Sequence, residues 1–338
     1  MHDPAPRTPM AGYHTYDPHE DVRDRPIPAR RRHRRRRRHA HRQRPSDLAQ
    51  PRRRDERRRT HHQLRREPVR GAHRGRVKGF DPATAMDRKM ARRMSRFIQL
   101  GMAAGTEAVR DSGLDFADWS PERRDRVAVA VNTSGGGQEQ VIDGTAVLHD
   151  KGPRFVSPFA IPALSGSMAA CQLSMEYGLT GPVITQVAAC ASSVIAFLDG
   201  LRMIQRGDVD VVLVGGSEAP LLPVAFAALA NMGALSRRND DPTRASRPFD
   251  AGRDGFLFGE GAGVVILESA EHALARDATI HCEVLGAALT ADAFHISAPE
   301  PTGRGAARAM TEALRDAGVA PDGWTTSWPT APRRRSTT

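Results

Sequence analysis

The chain has 338 residues, 39% of them hydrophobic and 26% charged, which is enough for one large α/β unit or two domains. Its formal net charge of +11 is concentrated at one end, because residues 1–76 hold 24 of the 50 Lys and Arg but only 9 of the 39 Asp and Glu. The rest of the chain is mildly acidic, which argues against a basic nucleic-acid-binding enzyme. No apolar run approaches the ~20 residues that cross a bilayer, and no secretory signal is evident.

Residues 1–76 combine Arg runs with nine of the thirteen His and almost no aliphatic clusters. Such a segment cannot repay the entropy cost of ordering, so we predict a disordered tail. Arg tracts bind phosphate nonspecifically, but no aromatic residues interleave here for base stacking, so we rank selected RNA or DNA binding below accidental sequence and plain disorder. Three cysteines without CxxC or metal-ligand spacing indicate a reducing, cytoplasmic compartment.

Helical and strand patterns begin after residue 76. Apolar residues recur at helical spacing from Met94 to Val109, and Gly113 is expected to end that helix. The run RVAVAVN over 126–132 predicts a buried strand that leads into a turn at Ser134–Gly137. The glycines of this turn suit either an anion-binding loop or a purely structural turn.

Residues 181–218 predict a βαβ unit. Val183–Val187 reads as a strand, a helix starts near Ala191 and ends at Gly207, and Val209–Val214 is a continuous apolar run typical of a parallel strand covered on both faces. We predict that one apolar face of the helix contains Val194, Leu198 and Leu201. Strands at 263–268 and 279–290 and a helix from Gly303 to Ala317 complete a doubly wound, layered α/β fold.

Cys190 lies where the first strand of this unit passes into the helix. A thiol at a helix start is near the positive end of the helix dipole and beside unpaired N–H groups, which favour the thiolate and can stabilise an oxyanion. The alternative is a small buried cysteine in a tight turn. Cys171, in a helical pattern, and Cys282, in a predicted strand, are expected to be core residues.

Several separate segments then resemble the β-ketoacyl-acyl carrier protein synthases, and are most similar to the elongating enzymes of fatty-acid and aromatic polyketide pathways. They are VAACASS (187–193), GGSE (215–218), the run from Ala234 to Glu268 and DAFHISAPEPTGRGAARAM (292–310). The likeness covers 77–323 and implies a thiolase-like α/β/α/β/α fold, mainly its N-terminal half with the start of the C-terminal half. Residues 324–338 are expected to be an unstructured tail.

The resemblance implies covalent catalysis with Cys190 as the nucleophile and no metal or organic cofactor. An acyl group would pass from a carrier-protein thioester to Cys190, and a malonyl-carrier protein would then lose carbon dioxide and attack the acyl-cysteine. The resemblance also implies pairing through the strand Val183–Val187, as a homodimer or a ketosynthase-type heterodimer. A non-catalytic partner subunit of the chain-length-factor type is the alternative, although such subunits usually lack the cysteine.

The family's catalytic histidine motifs, Asn-Ala-His-Gly-Thr and Lys-x-x-x-Gly-His, are missing from this chain, as is its Gly-Phe-Gly-Gly loop. Outside the tail only His149, His272, His281 and His295 remain, and we interpret His295 as a hydrogen-bonded residue near the pocket. We therefore expect condensation to be lost or crippled and acylation of Cys190 to survive. The GEGAG run at 259–263 precedes a strand, so we interpret it as close backbone packing and not as a nucleotide loop.

The codons around Gly323 supply a first prediction. Because tryptophan has a single codon, Trp324 and Trp328 constrain the neighbouring frame, and reading one base earlier permits Val-Asp-His-Val-Leu-Ala-His-Gly-Thr-Ser-Thr. Arg31–Arg44, read one base later, permits Val-Val-Thr-Gly-Val-Gly-Val-Val-Thr-Pro-Ile-Gly-Asn-Asp, the family's usual first strand and turn. We hypothesise a frameshift at each end. Resequencing the locus should reveal a continuous frame through both junctions, whereas the same out-of-frame DNA in related strains would contradict the hypothesis.

Overall fold

The computed structural model describes residues 75–323, and the predicted tails at 1–76 and 324–338 lie outside this range except for two residues. A four-stranded sheet organises the described part. Its strands are β1 (Val127–Asn132), β2 (Val183–Ile184), β3 (Val211–Glu218) and β4 (Gly261–Glu268), in the order β2-β1-β3-β4. β1 is parallel to β2 and β3, and β4 is antiparallel to β3. No helix within residues 75–323 is both long and apolar enough to cross a membrane.

Helices precede, connect and follow these strands along the chain. In chain order they are α1 (Arg88–Ala91), α2 (Arg96–Ser112), α3 (Pro121–Arg124), α4 (Gln138–Lys151), α5 (Ala160–Leu164), α6 (Met168–Tyr177), α7 (Ser192–Gln205), α8 (Pro223–Asn231), α9 (Ala270–Ala275) and α10 (Arg304–Asp316). α2 ends as predicted at Gly113, whose φ of 71° is a left-handed cap that glycine adopts without steric cost. Gly207, with φ 73°, follows α7 in the same way.

Two hydrophobic layers fix the sheet between helices. Side chains alternate along a strand, so β1 sends Val127, Val129 and Val131 to one face, where they pack with Phe97 of α2 and Leu173 of α6. The small residues Ala128 and Ala130 point the other way and pack with Ala196 and Met203 of α7. All six β1 residues are buried, which agrees with the continuous apolar run of the sequence.

Most of the predicted elements are confirmed, and four details are wrong. No strand forms over 279–290, because no other strand pairs with that segment within the described residues, and Cys282 is therefore exposed instead of buried in a strand. β2 comprises only Val183–Ile184 instead of extending to Val187. The buried face of α7 includes Ile195, Ala196 and Leu201, whereas Val194, predicted to share the face with Leu201, is 65% exposed.

Two helical glycines provide a matched test of this packing. A Cβ at Gly200 of α7 would lie 2.6 Å from Cγ1 of buried Val214, whereas one at Gly144 of α4 would meet nothing within 4 Å. Gly144→Ala should therefore raise the free energy of unfolding by about 0.5–1 kcal/mol through helix propensity. Gly200→Ala should lower it by about 1–2 kcal/mol because overpacking outweighs that gain. Urea unfolding measures both, and equal stabilisation by the two changes would contradict the described contact between α7 and β3.

Candidate active site

The carboxyl ends of the three parallel strands meet at one edge of the sheet. β1 ends at Asn132, β3 ends at Glu218, and β2 runs into a turn that contains Cys190. This juxtaposition follows from the parallel register, in which Asn132 pairs with Gly216 and Ala130 with Ile184. Loops at such an edge are where α/β sheets commonly bind ligands.

Cys190 lies in a single 3₁₀ turn, Ala189–Ala191, directly before α7, and its side chain is exposed. The predicted placement between a strand and a helix is confirmed, and the alternative of a buried cysteine is wrong. Ala189 has φ 49°, a left-handed conformation that costs a residue with a Cβ about 1–2 kcal/mol. The turn therefore stores backbone strain beside the thiol, and the surrounding contacts must offset it.

The Ser192 side chain makes two hydrogen bonds with the backbone of the turn. Its buried hydroxyl donates to the Ala189 carbonyl at 2.8 Å and accepts from the Ala188 N–H at 2.9 Å. The Asn132 side chain adds a second link, because its Nδ2 donates to the Ser192 carbonyl at 2.7 Å while its Oδ1 accepts from the Gln186 N–H at 3.0 Å. Side chains thus pair several of the polar groups around the strained residue.

The sequence predicts several unpaired backbone N–H groups in this turn, but within residues 75–323 only one of the three at 190–192 lacks a protein acceptor. The Ala191 N–H donates to the Ala188 carbonyl, and the Ser192 N–H donates to the Ala189 carbonyl. Within residues 75–323 the Cys190 N–H donates to no protein acceptor. One amide, on the same residue as the thiol, is therefore available for an oxygen that becomes negative when the sulfur attacks a carbonyl.

Two further contacts hold the start of α7. Ser193 lies so close to β3 that a Cβ on Gly216 would be 2.0 Å from the Ser193 Oγ, so only glycine fits at that position. Gln186 Nε2 donates to the Asp199 carboxylate at 2.7 Å. Burial raises the pKa of the Asp199 carboxyl, and the hydrogen bond from Gln186 and the charge of Arg206 oppose this increase.

The glycine turn after β1 contains a carboxylate of the chain itself. Glu218 Oε2 accepts from the Ser134 N–H at 2.6 Å, from the Gly135 N–H at 3.1 Å and from the Thr133 hydroxyl at 3.2 Å. These donors are the ones an external anion would use. The structural interpretation of the turn is therefore favoured. A weak signal for this role is present in the sequence, namely an acidic residue at the end of a parallel neighbour of β1.

None of the four histidines within residues 75–323 forms a hydrogen bond with the Cys190 turn. Exposed His295 accepts the Ser297 and Ala298 N–H groups on Nδ1, both at 3.1 Å, which makes it a loop cap, as predicted in part. His272 Nδ1 is 2.8 Å from a carboxylate oxygen of Glu268. His149 and His281 are exposed. Within the described part of the chain, no three His, Cys, Asp or Glu side chains are grouped closely enough to hold a metal ion.

The other motifs have structural contacts. Gly259 pairs with Gly75 so closely that a Cβ on Gly75 would be 3.1 Å from the Gly259 Cα, which confirms backbone packing at the GEGAG run. The neighbouring Glu260 carboxylate accepts from Arg96 Nη2 at 2.9 Å, and this ion pair joins β4 to α2. Cys171 lies in α6 as predicted, but it is half-buried instead of a core residue.

Family models match most of the chain. The model described as beta-ketoacyl synthase, N-terminal domain, matches residues 34–273, so the match begins within the Arg-rich segment, and the model of the C-terminal domain matches 281–323. The 3-oxoacyl-[acyl-carrier-protein] synthase 2 of Synechocystis is 44% identical over 248 residues, and that of Vibrio cholerae is 45% identical over 245. These regions cover 73% and 72% of this chain but only 59% and 58% of the relatives, so the chain spans about three fifths of their length.

Solved structures agree. A beta-ketoacyl synthase from Burkholderia phymatum superposes with a TM-score of 0.64 at 33% identity, over 72% of this chain and 59% of that one. The ishigamide ketosynthase/chain length factor superposes with a TM-score of 0.67 at 32% identity, over 76% of this chain and 62% of that one. The predicted thiolase-like α/β fold is confirmed. With matching motifs, relatives and architecture, the chain belongs to the β-ketoacyl synthase family.

Proposed function

We propose that this chain is an acyltransferase of the 3-oxoacyl-[acyl-carrier-protein] synthase type, with Cys190 as its nucleophile and acyl carrier protein thioesters as its substrates. The observation that carries the proposal is the exposed Cys190 in a strained turn at the carboxyl edge of the sheet, with its own N–H unpaired within the described residues. We propose further that residues 77–323 form the N-terminal-type domain and the start of the C-terminal half, and that the reaction is cytoplasmic and needs no metal or organic cofactor.

The proposed first step is transfer of an acyl group to sulfur. The Cys190 thiol loses its proton to solvent, and its sulfur attacks the carbonyl carbon of the carrier's pantetheine thioester. The carbonyl oxygen becomes negative and accepts the Cys190 N–H. The bond from that carbon to the pantetheine sulfur then breaks, the leaving thiolate takes a proton from solvent, and an acyl-cysteine remains. The step needs only the groups of the turn and protons exchanged with solvent.

The second step, decarboxylative condensation, needs groups in addition to those of the turn. Loss of carbon dioxide from a malonyl thioester leaves an enolate, which must be stabilised in a site that excludes water. The family's two histidine motifs, which the resemblance assigns to this task, are missing from the sequence. None of the four histidines in the described region has a hydrogen bond to the Cys190 turn. We propose that condensation by this chain is lost or strongly impaired.

A non-catalytic partner subunit is the second candidate. Its support is the exposed apolar surface next to the turn, where Val187 is 67% and Val194 is 65% exposed, together with the likeness to a ketosynthase/chain length factor structure. The same surface also suits a homodimer through β2. Cys190 favours the enzyme, because a subunit that only binds does not need an exposed thiol at a strand-to-helix turn.

Incubation with a hexanoyl-carrier protein and intact-mass measurement tests the acyl transfer. The chain should gain one hexanoyl group, and the gain should be absent from Cys190→Ala and retained by Cys282→Ala, which removes the other exposed cysteine. Malonyl-carrier protein added afterwards should yield at least a hundredfold less 3-oxooctanoyl product per acyl-enzyme than an intact synthase, since enolate stabilisation is lost. An unchanged mass would refute the acyltransferase and favour the partner subunit, and rapid condensation would refute the impairment.

A further inference from the structure

We infer that Asn132 is a positioning residue for Cys190: its side-chain amide joins the two ends of the turn that presents the thiol and so sets where the Cys190 N–H lies relative to the sulfur. The inference rests on the proposed acyl transfer at Cys190. It gives a role to a residue that none of the sequence motifs singles out. Asn132 does not touch the substrate in this account. It acts through Gln186 and Ser192.

The contacts of Asn132 support a bridging role. It is the last residue of β1, its side chain is buried on the face towards α7, and it is 1% exposed. Its Oδ1 accepts from the Gln186 N–H at 3.0 Å, on the segment that follows β2. Its Nδ2 donates to the Ser192 carbonyl at 2.7 Å, at the first residue of α7. Between these two anchor points lie only five residues, and Cys190 is among them.

An amide suits this position because it carries a donor and an acceptor on one planar group. A carboxylate would accept from Gln186 but repel the Ser192 carbonyl, and an apolar side chain of similar volume would leave both backbone groups unpaired in a buried place. Ser192 alone pairs groups within the turn, at Ala188 and Ala189, and does not connect the turn to the sheet. Asn132 therefore ties both ends of the turn, at Gln186 and Ser192, to β1.

The strained backbone explains why such a link matters for chemistry. Ala189, at φ 49°, precedes Cys190 and relaxes to a negative φ if the ends of the turn separate. That relaxation rotates the peptide group between Ala189 and Cys190, whose N–H is the proposed oxyanion donor. Acyl transfer needs this N–H at the developing oxyanion, whereas alkylation of the thiol by a small haloacetamide needs an accessible, reactive sulfur but forms no oxyanion.

The test compares these two reactions in the full chain. For the wild type, Asn132→Leu, Asn132→Asp and Ser217→Ala, we would measure single-turnover transfer from hexanoyl-N-acetylcysteamine to Cys190 and the rate of Cys190 alkylation by iodoacetamide, each by mass spectrometry. Ser217→Ala is the matched control, because Ser217 is also buried near the end of the neighbouring strand and donates to the Phe97 carbonyl on the opposite side. Urea unfolding reports stability for each variant.

We expect the ratio of acyl transfer to alkylation to fall about tenfold or more in Asn132→Leu and to stay within about twofold of wild type in Ser217→Ala. In Asn132→Asp the ratio should be low at pH 8 and rise towards the wild-type ratio as the introduced carboxyl takes up a proton and donates to Ser192. If the Asn132→Leu variant does not fold, the pH dependence of the ratio in Asn132→Asp tests the inference instead. A wild-type ratio in folded Asn132→Leu, or a pH-independent ratio in Asn132→Asp, would overturn the inference alone. Alkylation without acyl transfer in the wild type would overturn the proposed function and this inference with it.

Discussion

The site depends on one constraint, which is that the chain must pass from the end of β2 into α7 through a residue with a left-handed backbone. Ala189 carries a Cβ and has no intrinsic preference for φ 49°, so neighbouring groups have to hold it there. The Ser192 hydroxyl pairs the Ala188 N–H and the Ala189 carbonyl, which directly precede Cys190, and Asn132 attaches the turn to β1. Exposure of the Cys190 sulfur and freedom of its N–H are consequences of this geometry.

The buried sheet holds this strained turn in place. β1 and β3 are buried on both faces, between α2 and α6 on one side and α7 on the other, so their carboxyl ends are fixed in register. The small residues Gly200 and Gly216 allow α7 to lie close to β3, and the helix therefore begins at a defined place. Glu218, at the end of β3, binds the glycine turn after β1 and orders the neighbouring part of the same edge.

Local sequence patterns are sufficient to predict the strands, the helix ends and the position of Cys190. Continuous apolar runs identified β1 and β3, glycines marked the ends of α2 and α7, and the change from β-branched residues to helical spacing placed Cys190 at a turn. Long-range strand pairing is harder to predict from sequence. The pattern of 279–290 is typical of a strand, but a strand must pair with another strand, and none within residues 75–323 pairs with it. The roles of Asn132 and Glu218 depend on partners 54 to 85 positions away, which no local pattern reveals. The exposure of Val194 likewise depends on which side of α7 packs against the sheet, and helical spacing alone does not determine that side.

The most direct test of the strained, exposed turn is competitive labelling of the native chain with substoichiometric iodoacetamide, followed by peptide mass spectrometry of all three cysteines. Cys190 and Cys282 are both exposed, so accessibility alone would label them at similar rates, whereas half-buried Cys171 should lag. We predict that Cys190 reacts at least about tenfold faster than Cys282, and that urea removes the difference, because only the folded chain holds its sulfur in an open turn at the start of α7. Equal labelling of Cys190 and Cys282 in the native chain, or protection of Cys190, would contradict it.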